Sequence, residues 1–279
     1  MPDNLAMGVR TNIEVWQRRI ARAEELEARY TFAAQILRFY AAIARLQANL
    51  YFEIEDFVSF REMIADGNPF SRDLDPAIVG SFPRFVSIVE ENAPEKLRDA
   101  SRELCARTEN STFEMLADFW RGGREQSSAR GAEDFFARAF LQPFAVALRE
   151  RSNLKYTGPT AYVCPFCKRK PGAGVLCPLG EGAQRSLICS FCLGEWEFRR
   201  ILCPGCGEGD PAKLPVYTAD ELQHVRVEAC DSCKSYIKTV DFTKSALGEA
   251  VVDEIASVPL DLWAQGQGYH KVQVNLMQL

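Results

Sequence analysis

Eight cysteines stand in four Cys-x-x-Cys pairs: Cys164/Cys167, Cys189/Cys192, Cys203/Cys206 and Cys230/Cys233. The pairs are separated by 21, 10 and 23 residues. That long, short, long rhythm reads as one unit used twice, each unit being a pair, a spacer of about twenty residues and a second pair. Two residues between cysteines let a tight turn aim both thiolates at one ion, and a second such turn completes a tetrahedron. The expected ligand sets are Cys164, Cys167, Cys189 and Cys192 for one metal ion, and Cys203, Cys206, Cys230 and Cys233 for a second. Thiolate donors select zinc or iron over magnesium or calcium.

A disulfide framework is the rival chemistry, and it requires an oxidising compartment. Residues 1–10 hold no apolar run that reads as a secretory signal. The expected location is therefore the reducing cytoplasm. A thioredoxin-like dithiol would be one pair opening a helix, not four pairs among turns and short strands. Cys177 has no partner at two-residue spacing and is expected to stay outside both ligand sets. His224 is expected to stay outside as well, because each set already has four sulfurs. Cys105 is isolated on a predicted helix, and its expected role is that of a buried structural thiol.

The turns need short strands to carry them. Glu195-Trp196-Glu197-Phe198 and Val225-Arg226-Val227-Glu228 alternate in the manner of strands. Lys168, Arg169 and Lys170 follow the first turn and are expected to be solvated. Residues 161–279 carry 12 Lys and Arg against 14 Asp and Glu, a formal −2 within a chain of net charge −5. Four thiolates around a divalent ion add a further −2 at each site. This acidic balance argues against a polyanion partner. No apolar run reaches the length of a membrane span.

The other half of the chain reads as helices. The 279 residues and 47% hydrophobic content of the whole chain suffice for a full core and a smaller second domain. Residues 11–30 read as an amphipathic helix, with Ile13, Trp16, Ile20, Ala23 and Leu26 or Glu27 near helical spacing and Arg18, Arg19, Glu24 and Glu25 on other faces. Residues 32–60 repeat Phe32, Ile36, Phe39, Tyr40, Ile43, Leu46 and Leu50 every three or four positions. Arg38 and Gln47 within them read as solvated surface. Gly67-Asn68-Pro69 breaks the pattern. Asp75-Pro76 reads as a helix start, and Pro83 should kink or delay the helix that follows. A further helix opens at Pro94, another at a capping box Ser111-Thr112-Phe113-Glu114, and a last one covers 133–151 after a polar loop at 124–131. Residues 152–161 form the boundary. Lys244 to Trp263 reads as one helix with Leu247, Val251, Ile255, Val258 and Leu262 on its apolar face. The two histidines, His224 and His270, both lie beyond this helical half, which also lacks a phosphate-binding glycine loop. No catalytic residue and no organic cofactor site is expected.

Three blocks carry a resemblance. The first is Leu37-Arg38-Phe39-Tyr40-Ala41-Ala42-Ile43-Ala44 with Gln47. The second is Cys189-Ser190-Phe191-Cys192 with Glu195-Trp196, Arg199 and Cys203. The third is Glu228-Ala229, Cys230-Asp231-Ser232-Cys233 and Tyr236-Ile237-Lys238. In these the chain resembles the formate dehydrogenase accessory proteins of the FdhE type. Asp253, Asp261, Gly268, Tyr269 and Asn275 extend the likeness loosely to the tail. The resemblance implies an α+β protein: an all-helical N-terminal domain, two small tandem rubredoxin-like or zinc-ribbon metal modules, and a C-terminal helix. The expected boundaries are 1–155, 160–200, 201–242 and 243–279. Only Cys203-Pro204-Gly205-Cys206-Gly207 carries the full rubredoxin-like turn. Lys168, Leu193 and Lys234 replace its glycine elsewhere, so those turns are expected to depart from it.

The resemblance further implies a cytoplasmic, non-enzymatic factor for the maturation of a molybdenum- or tungsten-dependent formate dehydrogenase. Its implied partners are the catalytic subunit and the family's sulfurtransferase accessory protein, with no nucleic acid and no membrane. Its implied metals are two ions, iron or zinc. Two alternatives stand beside it. Iron in four thiolates can cycle between Fe(II) and Fe(III), giving a redox or oxygen-sensing protein. A zinc-ribbon nucleic-acid binder is the other, against which the charge counts.

Overall fold

The computed structural model of the chain describes residues 3–54, 70, 73–122, 131–152, 156 and 160–278. The expected break at 67–69, most of the loop at 124–131 and most of the boundary at 152–161 lie outside those residues. The chain forms two compact units, Met1–Trp16 with Phe39–Lys155, and Gln17–Arg38 with Tyr156–Met277. Residues expected to belong with the helical half, 17–38, thus group with the cysteine-bearing half.

The first unit is helical. Its elements are the start of α1 (Asp3–Arg29), most of α2 (Ala34–Glu53), α3 (Pro76–Val79), α4 (Phe82–Asn92), α5 (Glu95–Cys105), α6 (Glu109–Trp120) and α7 (Gly131–Arg151). Asp75 caps α3 by accepting from Ala77 N–H at 2.8 Å. Pro83 lies in the first turn of α4, where its missing N–H breaks no helical bond. The capping box expected at Ser111 is displaced. Thr108 is the N-cap instead, accepting from Ser111 N–H at 3.3 Å, so α6 starts earlier.

α7 is the core of this unit. Phe135, Phe136, Phe140 and Phe144 are all buried on it. The Phe140 ring lies 5.1 Å from Phe82 and 5.5 Å from Phe85, and Phe135 lies 5.8 Å from Phe39. α7 also contains Pro143 in its interior. A proline there deprives the carbonyl four residues earlier, Ala139, of its helical donor. Gln47 supplies one: its Nε2 donates to Ala139 O at 2.9 Å and to Gln142 Oε1 at 3.1 Å. Gln47 is 0% exposed, which overturns its reading as solvated surface. Arg38, in the other unit, is the exposed residue expected and pairs with Glu27 at 2.7 Å.

The second unit is built on one sheet. Its strands are β1 (Pro171–Leu179), β2 (Gly182–Cys189), β3 (Glu195–Glu197), β4 (Val216–Thr218), β5 (Val225–Ala229), β6 (Ser235–Asp241) and β7 (His270–Lys271). Their spatial order is β3-β2-β1-β6-β5-β4, with β7 also pairing with β6. Neighbours from one cysteine unit run antiparallel, whereas β1 and β6 join the two units in parallel. At that seam Gly174 faces Thr239, and any side chain at 174 would collide with it.

The tail is not one helix. It forms α8 (Ala250–Ala256) and α9 (Val258–Gly266), with Ser257 between them and Pro259 in the first turn of α9. The apolar face expected there is only partly buried. Ile255 is 0% exposed, but Leu247 is 87% and Leu262 63% exposed. Charge replaces apolar packing. Lys238 on β6 lies 3.1 Å from Glu254 and pairs with Asp261; Lys271 on β7 pairs with Glu254 and lies 3.0 Å from Asp261. Asn275 donates to Glu254 at 2.7 Å and the Tyr236 hydroxyl to Asp261 at 2.8 Å. The part of α1 in this unit joins in. Arg22 pairs with Asp253 at 2.5 Å and Arg19 with Glu249 at 3.1 Å. Both arginines are buried, although Arg19 lies off the apolar stripe of the helix.

Candidate metal centres

The four Cys-x-x-Cys segments fold into four copies of one turn. In each, the N–H of the first cysteine donates to the carbonyl five residues on: Cys164 to Arg169 at 2.7 Å, Cys189 to Gly194 at 2.9 Å, Cys203 to Glu208 at 2.8 Å and Cys230 to Ser235 at 2.8 Å. The residue after the second cysteine must then turn left-handed. Lys168, Leu193, Gly207 and Lys234 have φ of 66°, 53°, 81° and 56°. The three glycine replacements were expected to change the turn. They keep it instead, at a strain of about 1 kcal/mol or more each for a residue with a Cβ.

The turns bring the sulfurs together in two groups. Cys164, Cys167, Cys189 and Cys192 form one, and Cys203, Cys206, Cys230 and Cys233 the other, with the Sγ atoms of each group within 4.8 Å of one another. In the first, Cys164–Cys192 and Cys167–Cys189 are 3.5 and 3.3 Å apart. In the second, Cys203–Cys233 and Cys206–Cys230 are both 3.7 Å apart. A tetrahedron with metal–sulfur bonds of about 2.3 Å has edges of about 3.8 Å. Donor number, donor type and spacing therefore fit a four-thiolate ion, and each group can hold one.

Electrostatics supports the same chemistry. Burial and neighbouring thiols push Cys189 and Cys192 well above the ordinary thiol range, while hydrogen bonds from its neighbours pull Cys164 far below it. Four sulfurs this close cannot all ionise unaided; a divalent cation removes that conflict. Peptide dipoles contribute too. Phe191 N–H points at Cys189 Sγ and Gly205 N–H at Cys203 Sγ, each at 3.3 Å. At the second group burial opposes ionisation of Cys233, but the Ser235 hydroxyl at 2.9 Å helps hold it down to about 7.

The two groups differ in exposure. Cys164, Cys189 and Cys192 are buried and Cys167 half-buried, whereas Cys206 is exposed. Trp196 on β3 is buried and fixes its indole N–H on Ala161 O at 2.9 Å. Arg169 was expected to be solvated, but it is buried with its guanidinium 5.0 Å from the Phe191 ring centre. The other expected residues lie elsewhere. Cys177 is half-buried on β1, outside both groups, with its thiol raised by burial and by Glu195. Cys105 is exposed at the end of α5, which overturns its reading as a buried thiol. His224 Nε2 meets Asp253 at 2.8 Å.

The ionic network around Lys238 escaped sequence reading altogether. Its one signal was a lysine in the middle of a buried strand, followed by acidic residues on a tail expected to bury apolar ones. Lys238 is 0% exposed, and burial lowers its pKa despite its acidic partners. Burial alone would raise Glu254, but Lys238 and Lys271 hold it at about 2.

Known proteins match this arrangement over most of its length. Residues 201–278 match the family description "FdhE, C-terminal domain". A "Protein FdhE homolog" from Aquifex aeolicus is 28% identical over 92% of this chain and 93% of its own. Another, from Shewanella oneidensis, is 34% identical, but over 42% of this chain and 38% of its own. The crystal structure of the FdhE protein from Pseudomonas aeruginosa superposes with a TM-score of 0.70, at 22% identity, over 95% of this chain and 96% of that one, and so shares the fold. With residues 201–278 matched, a relative aligned nearly end to end and a common architecture, this chain is similar in sequence and fold to the FdhE proteins.

Proposed function

We propose that this chain is a cytoplasmic accessory factor for the maturation of a molybdenum- or tungsten-dependent formate dehydrogenase, and that it grips the catalytic subunit through a metal-stabilised scaffold. The observation that carries the reading is the pair of four-cysteine cages set in one continuous sheet, in a chain similar to the FdhE proteins. Cys164, Cys167, Cys189 and Cys192 hold one ion, and Cys203, Cys206, Cys230 and Cys233 the other. The ions are iron or zinc. They fix the turns whose strands form the sheet, and no catalytic step is assigned to them. The sulfurtransferase accessory protein of the same pathway is a second partner. Among the described residues, no helix is long and apolar enough to cross a membrane, which supports a freely diffusing factor.

The test is co-purification of the tagged chain from cells making active formate dehydrogenase, with metal analysis of the same sample. Recovery of the catalytic subunit with about two metal ions per chain is expected from two four-thiolate sites. Failure to recover any dehydrogenase subunit or maturation partner from such cells would refute the reading. One observation favours a redox role as the second reading: Cys206 opens the second cage to solvent, as an electron-transfer centre would require. A colourless, zinc-loaded protein after anaerobic purification would exclude it.

A further inference from the structure

The sheet ends differently at its two edges. β3 closes one side with Glu195 and Glu197 exposed around buried Trp196, and charges on an edge strand discourage pairing with another chain. β4 closes the other side with Val216, Tyr217 and Thr218, none of them charged. Ala229 N–H donates to Pro215 O at 3.0 Å. Antiparallel alternation from that bond turns the N–H and C=O of Tyr217 towards β5, and those of Val216 and Thr218 outward. Among the described residues, no backbone group pairs with that outer side.

The internal duplication says what such an edge takes. β1, β2 and β3 in the first cysteine unit correspond to β4, β5 and β6 in the second: turn, two antiparallel strands, turn, third strand. The outer edge of β1 is filled by β6, in parallel. β4 stands in the place of β1, and its equivalent edge is open.

Both faces beside β4 are hollow. The register puts Val216, Glu228, Arg226 and Ile237 on one face and Tyr217, Val227 and Tyr236 on the other. On the first face lies a cavity of about 400 Å³ bordered by Val216, Leu202, Arg185, Arg200, Arg226 and Glu228. Arg185 is 2% exposed. Its terminal nitrogens are used by Glu228 and by the carbonyls of Arg199 and Leu202, but its Nε has no hydrogen-bond partner. Three guanidinium groups border it, and two of them, Arg185 and Arg226, already share the carboxylate of Glu228. On the other face a groove of about 690 Å³ runs along Tyr217, Leu222, Leu260, Trp263 and Phe32. Phe32 is 53% and Trp263 37% exposed.

We propose that β4 is the docking edge for an extended segment of a partner protein, which adds in parallel beside Val216–Thr218, sets an acidic side chain towards Arg185 and Arg200 on one face, and lays an apolar or aromatic side chain against Tyr217 and Trp263 on the other. Alternate side chains of a strand point to opposite faces, so one segment reaches both hollows. A three-residue edge is too short to pair indiscriminately, and the two hollows supply the selectivity. The identity of the partner rests on the proposed accessory function; the surface does not.

Two probes separate the two ideas. The first is a fluorescein-labelled dodecapeptide alternating glutamate with leucine and phenylalanine, beside a peptide of the same composition in block order. The second is the purified catalytic subunit of the dehydrogenase. Thr218→Pro removes an outward N–H and leaves the β5 ladder intact; Arg200→Glu reverses a charge at the rim. Metal content and melting temperature verify that both variants fold. The expected result is that the alternating peptide binds at least tenfold more tightly than the block peptide, and that each variant weakens it at least tenfold. Equal binding of the two peptides, or of wild type and Thr218→Pro, overturns the docking edge. A catalytic subunit that binds wild type and Thr218→Pro alike also overturns it, while leaving the accessory function standing. Loss of the alternating peptide in the variants, with no binding of the subunit to any form, supports the edge and refutes the accessory function.

Discussion

Replacing Gln47 with methionine is expected to destabilise the helical unit by about 1–3 kcal/mol, the cost of withdrawing its donor from the buried Ala139 carbonyl and from the Gln142 side-chain oxygen. Methionine keeps roughly the volume of glutamine, so packing is conserved and the change isolates the lost hydrogen bonds. The carbonyl at stake is that of Ala139, which Pro143 cannot serve and which Gln47 serves at 2.9 Å. The oxygen of Gln47 has no hydrogen-bond partner, so methionine removes no acceptor that was in use. In a Pro143→Ala background, the N–H of residue 143 donates to Ala139 O, and Gln47 is no longer needed there. Its replacement should then cost at least about 1 kcal/mol less, well beyond the 0.3–0.5 kcal/mol scatter of independent sites. Urea unfolding of the four proteins, followed by far-ultraviolet circular dichroism, measures the cycle. Equal costs of Gln47→Met in the two backgrounds would show that Gln47 is not the substitute donor for Pro143.

Cys164→Ser should lower bound metal by one equivalent and unfold the sheet around β1–β3, because a four-thiolate site contributes roughly 10–16 kcal/mol to a small module; metal analysis and hydrogen exchange read both. Unchanged metal content would remove Cys164 from the ligands. Lys238→Met leaves Glu254 and Asp261 sharing one lysine, and breaking a buried pair of this kind costs about 3–5 kcal/mol. A loss below about 1 kcal/mol in denaturant unfolding would mean that Lys271 alone suffices. Glu254 has its usual 4.5 depressed to about 2 in the folded chain. Its contribution is complete above 4.5, where both states are ionised, and is lost as pH falls towards 2, because the unfolded chain takes up the proton first. The acid limb of a stability–pH curve should accordingly be shallower in Glu254→Gln than in wild type.

The cysteine spacing made the two cages legible, because a tight turn is a local structure and four sulfurs leave one sensible assembly. The left-handed residues at 168, 193 and 234 were harder to foresee. Glycine marks such a position only where strain has been relieved, and here hydrogen bonding across each turn holds lysine or leucine in it. The helices of the first half followed their apolar stripes. Gln47 misled because its environment depends on a proline nearly a hundred residues away. The tail misled for a related reason. Leu247 and Leu262 fitted a helical stripe, but the buried side of α8 and α9 is defined by Asp253, Glu254 and Asp261, whose partners Arg22, Lys238 and Lys271 come from three distant segments. Long-range charge pairing leaves no periodic trace.

The parallel seam between β1 and β6 would make ions held in the two cages interdependent in occupancy. Each cage closes the turns that hold one half of the sheet, and the halves share hydrogen bonds across Gly174–Thr239, Val175–Val240 and Leu176–Asp241. An empty cage frays its own strands and takes the seam from its neighbour, so the second ion should bind more tightly once the first is in place. Metal titration of the stripped protein should rise steeply, with few singly loaded chains. A bulky residue at position 174 would pry the seam apart and let the two cages fill independently.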